Sequence, residues 1–135
     1  MMKVFKIILL TFSLMVLILM TYGCSESSIY SNGENIVFPD SNVKFTAQVL
    51  PFLRYNCAYA GCHSGFSKAG GVVLDDYFEI MQYPGLIIPG NPDGSILVQI
   101  LENRLPHLTY FYRGSITDNH IRGVRQWIKE GALLN

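Results

Sequence analysis

At 135 residues, with ten lysines and arginines against ten acidic residues and a net charge of +0, the chain suits one small domain. That balance leaves no excess of positive charge for a nucleic-acid surface, so no nucleic-acid partner is expected. Hydrophobic residues make up 50% of the chain, but much of that content sits at the N-terminus and does not argue for a large core.

The first element in chain order reads as an export signal, residues 1–23. Lys3 and Lys6 form a basic start, and Ile7–Met20 follows without a charged residue. That run has the length of a signal h-region and is short of the roughly 20 residues that a membrane span needs. Removing the segment takes away both lysines and leaves a mildly acidic body. Thr21-Tyr22-Gly23-Cys24 resembles a bacterial lipobox, whose cysteine becomes the lipidated first residue. It departs from that pattern at Thr21, where leucine is common, and at Tyr22, where a smaller residue is common. Ordinary signal cleavage and an uncleaved anchor are the other readings. Acyl chains on Cys24 would hold the protein at a membrane, since each buried CH₂ contributes about 0.8 kcal/mol. The three cysteines fit this reading: with Cys24 lipidated, Cys57 and Cys62 remain as a local pair.

Residues 24–43, rich in Ser, Asn, Gly and Glu at their start, read as a flexible tether, and 44–135 as the domain. Within Val43–Tyr55 the apolar residues Phe45, Val49, Leu50 and Leu53 fall near helical spacing, and Pro51 is expected to kink or shorten that helix. Cys57–Gly71 is a glycine-bearing loop. Asp75–Gln82 predicts a short helix, and Pro84–Gly94 is too rich in Pro and Gly to be regular. Ser95–Glu102 predicts a helix capped by Ser95. The last helix is the clearest: Thr117 as N-cap, Asp118 in the first turn, a stripe of Ile121, Val124, Trp127 and Ile128, and Gly131 at C′. No alternating strand appears, so the expected class is all-α.

The chemistry lies in Cys57-Ala58-Tyr59-Ala60-Gly61-Cys62-His63. Covalent haem attachment needs two thiols, one per vinyl group, and an imidazole that reaches iron from the same side. A cysteine followed directly by histidine gives that geometry, and the ordinary form is Cys-x-x-Cys-His. Here four residues separate the thiols, and Gly61 allows the extra ones to bulge. Three other readings compete. One is a Cys57–Cys62 disulfide. Another is a zinc site completed by His107 or His120. The third is a redox-active thiol pair.

The order of motifs from Phe45 to Asn135 resembles the small, planctomycete-type cytochrome c domains of exported bacterial proteins. Leu50-Pro51-Phe52-Leu53 precedes the first thiol, and Gly61-Cys62-His63-Ser64-Gly65 carries the haem motif. Gly71-Val72-Val73-Leu74-Asp75-Asp76-Tyr77 matches a Gly-x-Leu-x-x-Tyr stretch loosely. Pro89-Gly90-Asn91-Pro92-Asp93-Gly94-Ser95-Ile96-Leu97 matches closely, and Trp127-Ile128-Lys129-Glu130-Gly131-Ala132 closes the domain.

The resemblance implies a small cytochrome c-like fold of three to five helices around one haem c. Cys57 and Cys62 would be the thioether positions and His63 an axial iron ligand. The protein would be an electron carrier rather than an enzyme, serving a redox partner protein at the cell envelope, periplasmic or outer-membrane. The family's second ligand is the methionine of a Met-Pro pair, and this chain has Leu105-Pro106 instead. Leucine has no donor atom. Either His107 ligates as the sixth ligand, the sixth position is open as in a haem sensor, or haem binding is lost. A non-redox module with a Cys57–Cys62 disulfide is the reading from another class. Met81 reads as a core residue, His120 as solvent-facing, and Trp127 as core packing close to the haem edge.

Overall fold

The helical run predicted around Pro51 forms without a break, because the backbone widens ahead of the proline. A π-helical turn, Phe45–Val49, carries the chain from Lys44, with the Val49 amide donating to the Lys44 carbonyl at 3.3 Å. It leads directly into α1, Leu50–Asn56, where Pro51 occupies the first turn.

The computed structural model describes residues 36–107 and 116–135, all within one unit of the chain. The expected signal segment, Cys24, the start of the tether, and Leu108, Tyr110, Phe111 and Tyr112 lie outside the described residues. After α1 come a 3₁₀ turn, Ala69–Gly71, and then α2, Tyr77–Gln82, α3, Ile96–Leu101, and α4, Asp118–Lys129. Among the described residues the secondary structure is helical with no strand, as the all-α expectation requires.

Side-chain caps close the starts of α2 and α4, but not that of α3. Asp76 accepts from the Phe78 and Glu79 amides at the start of α2. Thr117 accepts from the His120 amide, and the His120 ring returns a bond to the Thr117 amide. Ser95 stands at the N-cap of α3 but makes no cap bond. Its fully buried hydroxyl instead donates to the Asn91 carbonyl and accepts from the Ile88 amide, both at 2.9 Å. It ties down the Pro/Gly-rich loop that the sequence left irregular.

The core gathers around α4. Trp127 packs on Phe45 with ring centroids 5.5 Å apart, and Tyr77 meets Phe45 edge-on at 5.0 Å. The Trp127 indole N–H donates to the Leu133 carbonyl at 3.0 Å, satisfying its one polar atom. Ile121, the one member of the predicted stripe that is only half buried, lies at its edge.

Two expectations need correction. The packed region begins by Ile36, not at residue 44: Ile36, Phe38 and Val43 are all buried in the core. Extended backbone with buried side chains needs partners for its polar groups, and the last helix supplies them. Asn119 exchanges bonds with the Phe38 amide and carbonyl, and Glu130 accepts from the Asn42 and Val43 amides. His120 is also not solvent-facing; it is 2% exposed. Its Nδ1 accepts from Thr117, so Nε2 carries the proton and donates to the Ile36 carbonyl at 2.9 Å. Sequence spacing alone placed it outside because the element that covers it comes from the stretch expected to be a tether.

Phe38 lies directly on Gly123 of α4, where a Cβ would overlap the ring. Alanine would normally favour a helix over glycine by about 1 kcal/mol, but overpacking costs about 1–3 kcal/mol. Gly123→Ala should therefore lower the urea midpoint with an unchanged slope. A raised midpoint would mean that Phe38 is free to move aside.

Candidate cofactor cavity

The seven residues after α1 place both thiols and His63 on one wall. Cys57 is the C-cap of α1, with its amide on the Leu53 carbonyl at 2.8 Å. The four intervening residues then spend their extra length in a tight turn. The Cys62 amide donates to the Tyr59 carbonyl at 3.0 Å, and Gly61, at φ +86°, takes the left-handed position. This is the arrangement of a type II turn, whose third residue needs positive φ. Once the turn closes, the His63 amide reaches back to the Cys57 carbonyl at 3.0 Å. The bulge expected from the wide spacing is thus an ordinary turn.

The rest of the loop is braced from outside. The Ala69 amide donates to the Cys62 carbonyl at 3.0 Å, and the Leu74 amide to the His63 carbonyl at 2.7 Å. The Gly65 amide is held by both carboxylate oxygens of Asp75, at 3.1 and 3.0 Å. The sequence put Asp75 at the start of a short helix; that helix begins at Tyr77, and the folded loop brings Asp75 to Gly65 instead.

Behind this loop lies a cavity of about 640 Å³, inside the roughly 300–1,000 Å³ range of small-molecule and cofactor sites. Cys57, Cys62 and His63 line it together with Leu74, Leu97 and Leu101. Helix α3 supplies its apolar wall, and Asn56, Tyr59 and Tyr83 add polar groups that the sequence did not single out. Tyr59 was legible in principle, since it lies inside the motif. Tyr83 was not, because nothing local marks its direction.

His107 lines the same cavity and faces His63. The two Nε2 atoms are 3.3 Å apart, and the ring centroids 5.5 Å apart. Burial, and then the charge of His63, hold the His107 ring below the usual imidazole pKa, which favours its neutral, ligating form. His63 Nδ1 is buried without a hydrogen-bond partner, and Nε2 is the ring nitrogen directed at His107.

The remaining expected residues fall elsewhere. Leu105, Met81 and Trp127 do not line the cavity; Met81 packs against the core, and the expected nearness of Trp127 to a cofactor edge is not found. His120 belongs to the Ile36 clamp. Among the described residues no group of three or more His, Cys, Asp or Glu is placed to hold a metal ion unaided, which disfavours the zinc reading. Cys57 and Cys62 are free thiols. In comparisons with known proteins, the chain matches no family model, no curated protein and no solved structure.

The two thiols differ sharply in setting. Cys57 is buried, and burial first, then the neighbouring Cys62, push its thiol pKa up to about 12. Cys62 is half exposed. At pH 9 a pKa of about 12 leaves only about a thousandth of Cys57 as the reactive thiolate. Iodoacetamide on the reduced, folded chain should therefore label Cys62 well before Cys57, as read by peptide mass spectrometry. Denaturant should bring the two rates together. Equal rates in the folded chain would contradict the burial of Cys57.

Proposed function

We propose that this chain is an exported c-type cytochrome with the small cytochrome c-like fold that its motifs resemble, carrying electrons at the cell envelope. Cys57 and Cys62 hold one haem by thioether bonds, and His63 and His107 are its two axial ligands. The observation that carries this reading is the meeting of all four side chains at one apolar cavity, with the two imidazole Nε2 atoms 3.3 Å apart.

The residues fit the group. An imidazole nitrogen binds a transition metal at about 2.0–2.1 Å, so two opposed imidazoles sharing one ion need about 4 Å between them. The observed separation is a fraction of an ångström short of that, within the reach of a side-chain rotation. The haem would supply a one-electron couple. The chain's own residues do the rest. The Cys57–His63 loop orients the thiols and the first imidazole from one side. Leu74, Leu97 and Leu101 give the cavity an apolar wall, and an apolar surround sharpens the effect of every nearby charge and dipole. His107 takes the place that Leu105 cannot fill. A second imidazole in place of a thioether sulfur lowers the potential, so the protein suits a low-potential step of electron transfer to or from a redox partner protein. His107 on the cavity wall favours this arrangement over a sensor with an open sixth position.

The export signal in residues 1–23 and a lipid on Cys24 complete the proposal, placing the domain at a membrane by an acyl anchor. No helix among the described residues is long and apolar enough to cross a membrane.

Expression with cytochrome c maturation machinery should yield protein whose haem survives acid–acetone extraction, with a pyridine haemochrome spectrum typical of two thioethers. Haem that passes wholly into the acetone phase would refute covalent attachment. For the anchor, mass spectrometry of the mature N-terminus should find acyl chains on Cys24, and Cys24→Ala should leave an unlipidated precursor or release the domain. A mature N-terminus without acyl chains would remove the lipid from the account.

A further inference from the structure

We propose that the cavity is a metalloporphyrin-binding site in its own right, with the two histidines and the apolar walls sufficient for uptake. The thioethers then make permanent what the axial pair already selects. This rests on the proposed function and goes beyond it, since it assigns non-covalent binding of ferric protoporphyrin to the chain without its thiols.

The argument lies in what holds the two imidazoles in place. His63 is set by main-chain bonds on both its amide and its carbonyl, to Cys57 and from Leu74. The loop around it is braced by Asp75 on Gly65 and by the Ser67 hydroxyl on the Gly61 amide at 2.9 Å. None of these bonds involves a sulfur atom. Substituting either thiol leaves every one of them available.

The His107 side is built independently. The chain leaves α3 in a turn that brings the Arg104 and Leu105 amides onto the Gln99 carbonyl, at 2.7 and 3.2 Å. Glu102, at the end of α3, bonds Arg104 at 2.8 Å and Arg125 of α4 at 2.8 Å. Arg125 also bonds Asp93 at 2.7 Å. Exposed ion pairs are individually weak, but this set shares charges across three segments and fixes where the turn before His107 starts. Again no thiol takes part.

The aromatic part of the core lies apart from the cavity, while Cys57, Leu74, Leu97 and Leu101 belong to both. Phe38, Phe45, Phe52 and Trp127 pack around α4, and none of them lines the cavity. The aromatic packing around α4 is therefore made without either thiol, although Cys57 is part of the buried core cluster. A site whose ligands are positioned by the scaffold loses little freedom on binding, which is the physical meaning of preorganisation.

The test is haemin titration of the full chain carrying Cys57→Ala and Cys62→Ala, made without maturation machinery. One equivalent should bind and give a low-spin spectrum, and acid–acetone should extract all of it. Adding His107→Ala should turn the spectrum high-spin. Adding His63→Ala as well should weaken binding by about a hundredfold or more, since even outer-shell partners of a metal ligand contribute 10–100-fold. Folding is followed by the near-ultraviolet circular dichroism of buried Trp127. If the double variant does not fold, the same titration is run on the unsubstituted chain with reduced thiols, where extractable low-spin haem supports the proposal.

A folded chain that takes up no haemin overturns it, as does a spectrum that His107→Ala leaves unchanged. Covalent haem in the matured wild type, with no uptake by the thiol-free variant, would sink this inference and leave the proposed function standing. Uptake by the variant, with no covalent haem in the matured wild type, would do the reverse.

Discussion

The hydrogen bond from the His63 amide to the Cys57 carbonyl closes the loop on which the candidate site depends. It forces the residues between the thiols into a compact turn and leaves Cys57, Cys62 and His63 facing one way. Without it, a four-residue spacer would let the thiols and the imidazole diverge. Gly61 makes the closure possible, since its φ of +86° lies where a Cβ would strain the backbone. The Leu74 amide and the Asp75 carboxylate then hold the outer side of the loop. A short stretch of chain thus becomes a rigid wall through main-chain bonds, which tolerate changes in side chain better than packing does.

The second half of the structure is built on α4. Its buried stripe receives Phe45 and Phe38 from the N-terminal side. Its polar residues receive the backbone of 36–43 through Asn119, His120 and Glu130. Burying a side chain such as phenylalanine contributes about 1.5–3 kcal/mol. Leaving the accompanying amides unpaired would cost about 1–3 kcal/mol each. The segment can pack only because both requirements are met by one helix. Arg125 then links this helix to the end of α3 and the turn that carries His107. The order of dependence runs from α4 through Arg125 and Glu102 to the second histidine.

Much of this was legible in the chain. The class, the α4 caps, the apolar stripe and the irregular Pro/Gly segment follow from local propensity and spacing, which act over a few residues. So does the turn chemistry of Gly61. The misreadings of residues 36–43 and of His120 involve partners distant in sequence, and that of Ser95 a partner within its own loop. Residues 36–43 follow a polar stretch that reads as a tether, and their bonds to residues 119–130 and the burial of Ile36, Phe38 and Val43 make them structure. His120 sits at a position that is exposed on an isolated helix and is covered by Ile36 in the fold. Ser95 keeps the cap position, but its hydroxyl serves Asn91 and Ile88.

The same division applies to the site. The sequence alone determined which residue types could carry chemistry: two thiols with an adjacent imidazole, and a leucine, without a donor atom, at position 105. Those are properties of residue type and near spacing, and no folding is needed to read them. Tertiary structure decided that His107 faces His63 across an apolar cavity, while Met81, Trp127 and His120 stand elsewhere. Whether residue 63 meets residue 107 depends on α3, Gln99 and the Arg125 network bringing the second turn over the first. Such long-range closure is set by the packing of whole elements, and no local pattern along the chain encodes it.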